Sequence, residues 1–140
     1  MLKNDKMISD DTIVAQATPF GYSGVAMVRV SGQSSIKIVE KLTGGSPLKN
    51  RASTFLKILS PSGDIIDQAL ITCFREPASY TGENVVEITP HGNPAIVENI
   101  IETICLYGAR IAVPGEFTRR AFINGKLDLI QVEAVAALIN

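Results

Sequence analysis

The sequence predicts an α+β domain in which one or two helices cover a mixed, mostly antiparallel sheet. Strand-like apolar segments recur along the chain, a strong hairpin turn joins two of them, and two further segments carry apolar residues at helical spacing. We find no convincing internal repeat. With 140 residues, of which 46% are hydrophobic, the chain has enough apolar material for one packed core.

The first elements follow from alternation and turn residues. Residues 12–17 and 24–30 predict two strands joined by a turn at 19–23. In the second strand, Arg29 falls on one face because its neighbours in the alternation point to the other. A short helix is predicted after Ser34, and two glycines end it. Its apolar stripe comprises Ile36, Val39 and Leu42, and Ile38 lies beside it.

The middle of the chain predicts a hairpin, a further strand and the clearest helix. The predicted elements are strand 54–59, turn 60–64, strand 65–74, strand 85–89, a helix between Asn93 and Gly108, and strand 110–113. Asn93 serves as the helix cap and Pro94 as its first residue. Strand alternation places Glu87 with Val85 and Thr89 on one face. The helix buries Ile96, Val97, Ile100, Ile101, Ile104 and Cys105, while Glu98, Asn99, Glu102 and Thr103 are expected to face water.

The last segment predicts a helix that the chain end interrupts. Asp128 and Gln131 resemble a capping box, and apolar residues follow at helical spacing up to Asn140. Because no Gly, Pro or basic last turn ends this pattern, we expect the chain to be a piece of a longer protein. The predicted organisation is a flexible arm at 1–11, one domain at 12–120, and a junction with the first helix of an all-α domain at 121–140.

Charge and composition exclude several classes of function. Thirteen basic and fourteen acidic side chains leave a net charge of −1, so strong general attraction to nucleic acid is not expected. No apolar run approaches the roughly 18 residues of a membrane helix, and the first eleven residues lack a signal-peptide core. We therefore expect a cytoplasmic protein without membrane contact, in which Cys73 and Cys105 are buried free thiols.

Motifs for several kinds of chemistry are missing. A phosphate-binding loop is not present, because Leu127 follows Gly125 and Lys126. With His91 as the only histidine, a site of repeated histidine ligands is excluded and a metal site is not expected. We predict no catalytic nucleophile and no metal in this chain.

Each of the remaining polar residues allows a structural and a functional interpretation. Glu87 and Arg29 are charges on apolar strands, either solvated or aimed into a site. His91, at a junction of strand and helix, either bonds to nearby backbone or faces a ligand. The densest positive group, Arg119, Arg120 and Lys126, is either a solvated face or part of a site. Residues 77–109 contain no Lys or Arg, so we expect this stretch to be electrostatically complementary to the segment that carries Arg119, Arg120 and Lys126.

Taken together, these segments resemble the N-terminal part of the MnmE (TrmE) family of tRNA-modification GTPases. The matching segments are 11–19 (DTIVAQATP), 28–32 (VRVSG), 80–83 (YTGE), Val86-Glu87 with His91-Gly92, and the near-continuous block 114–129 (PGEFTRRAFINGKLDL). The resemblance runs in order from about residue 10 to the chain end. Asn93 departs from it, since glycine is common there, and so do Phe20 and Val132.

This resemblance implies a fold like the tetrahydrofolate-binding domain of aminomethyltransferases, and folate contacts at Arg29, Glu87 and Lys126. His91, Tyr80, Arg119 and Arg120 are possible lining residues. The implied ligand is 5,10-methylene- or 5-formyltetrahydrofolate, whose pterin edge suits a carboxylate acceptor. Which cation meets which end of the folate stays open.

For the whole protein, the resemblance implies a homodimer that works with MnmG on the wobble uridine of tRNA. GTP, Mg²⁺ and K⁺ would belong to a GTPase domain that this chain lacks, so the fragment alone is expected to be inactive. Two alternatives stay open. The chain is a homodimerisation module without folate binding, or it is an independent folate-dependent aminomethyltransferase.

Overall fold

The computed structural model of the protein describes residues 11–139, so the predicted arm lies outside the described residues except for Asp11. The strands are β1 Ile13–Gln16, β2 Ser23–Val25, β3 Val28–Ser31, β4 Ser53–Leu59, β5 Ile65–Phe74, β6 Val85–Thr89, β7 His91–Gly92 and β8 Arg110–Ile111. The helices are α1 Ser35–Leu42, α2 Pro94–Leu106, α3 Glu116–Ile123 and α4 Leu129–Ile139.

Six strands form the main sheet in the order β4-β5-β6-β3-β1-β8. Neighbouring strands are antiparallel except for β1 and β8, which are parallel. A second, two-stranded sheet pairs β2 with β7. This arrangement confirms the predicted α+β class with a mixed, mostly antiparallel sheet. Within residues 11–139, none of the helices is both long and apolar enough to cross a membrane.

The core lies between one face of the main sheet and helices α1 and α2. Strand alternation points Val28 and Val30 of β3 into it, beside their cross-strand partners Ile88 and Val86 on β6. The predicted stripe of α1 is buried throughout. Helix α2 buries Val97, Ile100 and Ile104, and its cap is formed as predicted, with Asn93 Oδ1 accepting from Ala95 N at 2.9 Å.

The opposite face of the sheet carries polar residues in one row across the strands. Arg29, Glu87 and Thr72 are consecutive cross-strand partners on β3, β6 and β5, and Ala15 of β1 is the apolar partner of Arg29 at the end of this row. The loop between β5 and β6 and helix α3 reach this face, because Tyr80 from the loop and Phe117 from the helix both contact Arg29. The loop and the helix therefore partly cover the sheet face on which Arg29 lies.

Several local predictions were wrong. The predicted strand 24–30 is interrupted, because Ala26 N donates to Pro90 O and the segment before it leaves the main sheet to pair with β7. Thr103 is buried rather than exposed, and its hydroxyl is satisfied by donating to Asn99 O within the helix. Cys73 is buried as predicted, but Cys105 is only half-buried. Burial raises the pKa of both thiols.

Helix α3 was not predicted, and the reason is visible in its burial pattern. The side chains it buries are Glu116, Thr118, Arg120 and Ala121, three of which are polar. A search for apolar residues at helical spacing therefore finds no stripe. The helix also runs across position 120, where the sequence suggested a domain boundary. The predicted helix α4 is confirmed, with its capping box formed between Asp128 and Gln131 at 2.8 and 2.9 Å.

Replacing Gly32 with alanine is expected to lower the free energy of unfolding by about 3 kcal/mol. A Cβ at Gly32 lies 2.6 Å from the Thr12 Cα, and the residue has φ +138°, which disfavours side chains. Gly63→Ala is the control, because Gly63 has φ +93° with no atom within 4 Å of its Cβ position. Urea unfolding of both variants measures the difference. Equal losses would show that the close approach at Gly32 is not costly.

Candidate functional site

The candidate site is built around an ion pair between Arg29 and Glu87 on the open face of the sheet. These residues face each other in the register of β3 and β6, and each side chain is 21% exposed. Arg29 Nε and Nη2 both donate to Glu87 Oε2, at 3.1 and 3.0 Å. Because both bonds fall on Oε2, Oε1 has no protein donor among the described residues. The pair leaves one carboxylate oxygen able to accept a hydrogen bond from a ligand.

Two aromatic rings hold the Arg29 guanidinium in place. Its central carbon lies 5.0 Å from the centre of the Tyr80 ring and 5.5 Å from that of Phe117. The Tyr80 hydroxyl is in turn hydrogen-bonded to Thr118 Oγ1 at 2.9 Å. Cation–π contacts of a partly desolvated guanidinium are favourable by about 1–2 kcal/mol. Arg29 is therefore a restrained side chain whose charge is already matched by Glu87.

A groove of about 330 Å³ opens beside this pair. Its lining residues are Arg51, Phe74, Ala78, Ser79, Tyr80, Val85 and Glu87. The volume lies at the lower end of the roughly 300–1,000 Å³ typical of sites for small organic ligands. The combination of aromatic walls with a single carboxylate suits a flat, nitrogen-rich ring that donates hydrogen bonds.

Lys126 is brought to the loop that forms one wall of this groove. Its Nζ donates to Pro77 O at 3.1 Å, and the side chain is exposed. The neighbouring Asn124 Nδ2 donates to Thr81 O at 2.8 Å, so the end of α3 is tied to the same loop. A Cβ on Gly82 would lie 2.9 Å from Asn124 Cβ, which shows how closely the two segments approach. Lys126 is thus near the site but does not line the groove.

Arg120 is committed to a buried network below the loop. Its guanidinium donates to Glu83 at 3.0 Å and to the main-chain oxygen of Asp11 at 2.6 Å, and it lies 3.4 Å from Glu116 Oε2. The Arg120 side chain is only 6% exposed. The Glu83 contact confirms the expected complementarity between the stretch without basic residues and the basic segment. It joins the loop of the site to helix α3.

The lowered pKa of Glu116 makes the stability of this network depend on pH. Hydrogen bonds from Arg110 lower the pKa of Glu116 to about 2 against the opposing effect of burial, and the Val113 N–H adds to the lowering. Because the folded-state pKa lies below the unfolded one, this stabilisation is complete above pH 4.5 and is lost as the pH falls towards 2.

We expect Glu116 to contribute about 3 kcal/mol to the loss of unfolding free energy between pH 5 and pH 2. Urea unfolding at a series of pH values measures it, with Glu116→Gln as the comparison. The variant is expected to be less stable at pH 7 and to show a shallower dependence on pH. Parallel profiles would mean that Glu116 does not titrate with a lowered pKa.

His91 lies at a separate place on β7. Its main-chain N–H donates to Asp67 Oδ2 at 2.9 Å, and its ring Nδ1 lies 2.9 Å from Asp67 Oδ1. Burial favours the neutral form of Asp67, but the bonds from His91 outweigh it and lower the pKa of Asp67 below 3.8. The ring is 69% exposed. Its hydrogen-bond contacts are with Asp67, and it does not line the groove beside Glu87.

The structure therefore brings together Arg29, Glu87 and Tyr80, with Lys126 close by. Arg119 is exposed and lines a different groove, between α3 and α4, and Arg120 is held in the buried network. Sequence reasoning missed Arg51 and Phe74 as groove residues, since they lie before β4 and at the end of β5, without a motif around them. Within residues 11–136, no cluster of His, Cys, Asp or Glu is arranged to hold a metal ion.

Comparison with known proteins places these residues in a family. The profile described as "GTP-binding protein TrmE N-terminus" matches residues 12–126, which include every residue of the groove. The chain belongs to the TrmE N-terminal domain family. It therefore represents the N-terminal domain of a protein related to the tRNA modification GTPases named below.

Individual relatives support the same assignment to the TrmE N-terminal domain family. The chain is 53% identical over 134 residues to the tRNA modification GTPase MnmE of Francisella philomiragia, covering 96% of the chain and 29% of that protein. It is 49% identical over 129 residues to the tRNA modification GTPase MnmE of Halorhodospira halophila, covering 92% and 27%. The chain thus spans less than a third of the length of these relatives.

Proposed function

We propose that this TrmE N-terminal domain binds a reduced folate, 5,10-methylene- or 5-formyltetrahydrofolate, in the groove beside Glu87. The observation that carries the proposal is the restrained Arg29–Glu87 pair, which leaves Glu87 Oε1 without a protein donor next to an aromatic groove. The pterin edge presents an N–H and an amino group to such an acceptor. Lys126, on the adjoining segment, adds a positive charge next to the loop of the site.

In this proposal the chain's own residues bind and orient the ligand. Glu87 accepts from the pterin edge, Arg29 holds the Glu87 carboxylate in one orientation, and Tyr80 closes one wall. Bound folate supplies a one-carbon unit for modification of the wobble uridine of tRNA. No nucleophile is required of this chain, because holding the donor in one orientation is the contribution that binding makes to such a transfer.

The proposal extends to partners of the longer protein. The domain would form a cytoplasmic homodimer and act with MnmG on tRNA, while GTP, Mg²⁺ and K⁺ would bind a GTPase domain beyond this chain. Large apolar side chains at the surface support self-association, most clearly Phe20 and Tyr22, which are 89% and 84% exposed. Apolar exposure of this kind is typical of contact surfaces between subunits.

A second candidate, homodimerisation without folate binding, is favoured by one observation. Arg29 and Glu87 neutralise each other across β3 and β6, so neither charge needs folate to be satisfied. Under this alternative the pair is a structural link between β3 and β6, and the exposed aromatic residues alone carry the function.

Calorimetric titration of the 140-residue chain with 5-formyltetrahydrofolate, with its mass in solution measured in the same buffer, distinguishes the two. Saturable binding of one ligand per chain supports the proposal. A dimer that releases no heat and shows no binding at millimolar ligand supports the second candidate and contradicts the first.

A further inference from the structure

We propose that Arg51 is the residue that binds the anionic tail of the ligand. This inference rests on the proposed function and deepens it by assigning the two ends of the groove. The groove lined by Glu87 is also lined by Arg51, whereas Arg29 and Lys126 do not line it. A ligand whose flat ring meets Glu87 and whose other end carries carboxylates therefore finds its nearest groove cation in Arg51.

The strand register shows where Glu87, at one end of the groove, lies relative to Arg51, at the other end. Glu87 pairs with Thr72 and Val85 pairs with Phe74, so Phe74 lies diagonally across from Glu87 on the same face. Such diagonal neighbours are about 7–8 Å apart. Arg51 lies just before β4, which flanks β5 on the side away from β6, and its guanidinium is 5.6 Å from the centre of the Phe74 ring. Glu87, Phe74 and Arg51 therefore succeed one another along the groove.

The competing cations are engaged elsewhere. Arg29 directs two donors at one oxygen of Glu87 and is covered by Tyr80 and Phe117. Lys126 donates to Pro77 O and does not line the groove. Arg51, by contrast, makes one long side-chain bond, 3.4 Å from Nη1 to Ala78 O, and has no acidic partner among the described residues. Its planar guanidinium retains donors for bidentate recognition of a carboxylate.

The backbone conformation at Arg51 is a separate observation, because it is unfavourable for a residue with a long side chain. Among residues 11–139 it is the one non-glycine residue with positive φ, at 58°. A long side chain in this conformation costs about 1 kcal/mol or more, which glycine or asparagine would reduce. The conformation is held by a bond from Arg51 N to Cys73 O at 2.7 Å, and Asn50 Oδ1 accepts from Arg75 N. An arginine is thus presented beside Phe74 at a place where a smaller residue would fit with less strain.

The test compares two ligands that differ only in the tail: 5-formyltetrahydrofolate, and the corresponding 5-formyltetrahydropteroyl amide, in which a neutral carboxamide replaces the glutamate. The wild type is expected to bind the folate more tightly. Arg51→Gln is expected to weaken folate binding about three- to tenfold and to leave binding of the neutral amide unchanged. Arg51→Lys, which keeps the charge and loses the planar fork, is expected to lie between the two.

Arg75→Gln is the matched control, since it removes one exposed positive charge next to Phe74 without altering the groove lining. It is expected to leave both affinities unchanged. The inference is overturned if Arg51→Gln weakens both ligands equally, if it equals Arg75→Gln, or if Lys126→Gln alone removes the preference for the folate. If neither ligand binds the wild type, the proposed function itself has failed, and this inference with it.

Discussion

Replacing Glu87 with glutamine is expected to weaken binding of 5-formyltetrahydrofolate roughly 10- to 100-fold. The reason is that a hydrogen bond to an ionised acceptor contributes about 1.5–3 kcal/mol, and the substitution removes that charge. The amide oxygen of glutamine still accepts from Arg29, so the strand pairing between β3 and β6 is expected to survive. Calorimetric titration measures the affinity, and thermal unfolding checks that the variant is folded.

Glu98→Gln is the control for this prediction. Glu98 is an exposed carboxylate on α2, the helix that covers the opposite face of the sheet, so the variant has the same change of charge without touching the groove. It is expected to bind like the wild type. A folded Glu87→Gln protein with wild-type affinity would mean that the Arg29–Glu87 pair is only a structural link.

Replacing Arg120 with methionine is expected to lower the free energy of unfolding by about 3–5 kcal/mol. The substitution keeps most of the side-chain volume, but it leaves Glu83 and Glu116 without a cation that both now contact. Glu83 and Glu116 are 13% and 6% exposed, so water replaces the lost partner poorly. Urea unfolding at pH 7 measures the loss.

Arg119→Met provides the comparison, because it changes the adjacent residue of the same helix at an exposed position. It is expected to change the unfolding free energy by less than about 0.5 kcal/mol. If the two variants are equally stable, the network around Arg120 does not hold the loop and α3 together. A loosened loop would also lower folate affinity, since Tyr80 is carried by that loop.

Sequence patterns predicted most of the fold because apolar periodicity decides most of its elements. Alternation along β6 placed Glu87 on the face away from Ile88, and the Asn93-Pro94 start of α2 contains its own cap. The pattern failed at α3 because that helix buries ion pairs and hydroxyl groups. It also failed at residues 24–30, where continuous β propensity hides a change of partner from the main sheet to β7.

The candidate site could be predicted only in part. Arg29 and Glu87 stand out as charges on buried strands, but no pattern shows that their side chains meet across a pair separated by 58 positions. The sequence suggested that Arg120 belongs to a basic surface, but its side chain is buried. The pattern could not show this, because the partner Glu83 comes from a loop that is distant in the sequence. Arg51 gave no signal, since its place beside Phe74 depends on long-range pairing of the residues before β4 with the end of β5.

The most direct test of folate binding at this groove is a map of amide chemical shifts in ¹⁵N-labelled protein during titration with 5-formyltetrahydrofolate. We expect the largest changes at Arg29, Glu87, residues 78–83 and Arg51, with the helix α2 unaffected. Changes confined to the β2–β7 sheet or to the groove between α3 and α4 would place the ligand elsewhere and contradict the account. A spectrum that does not change at saturating ligand would contradict it altogether.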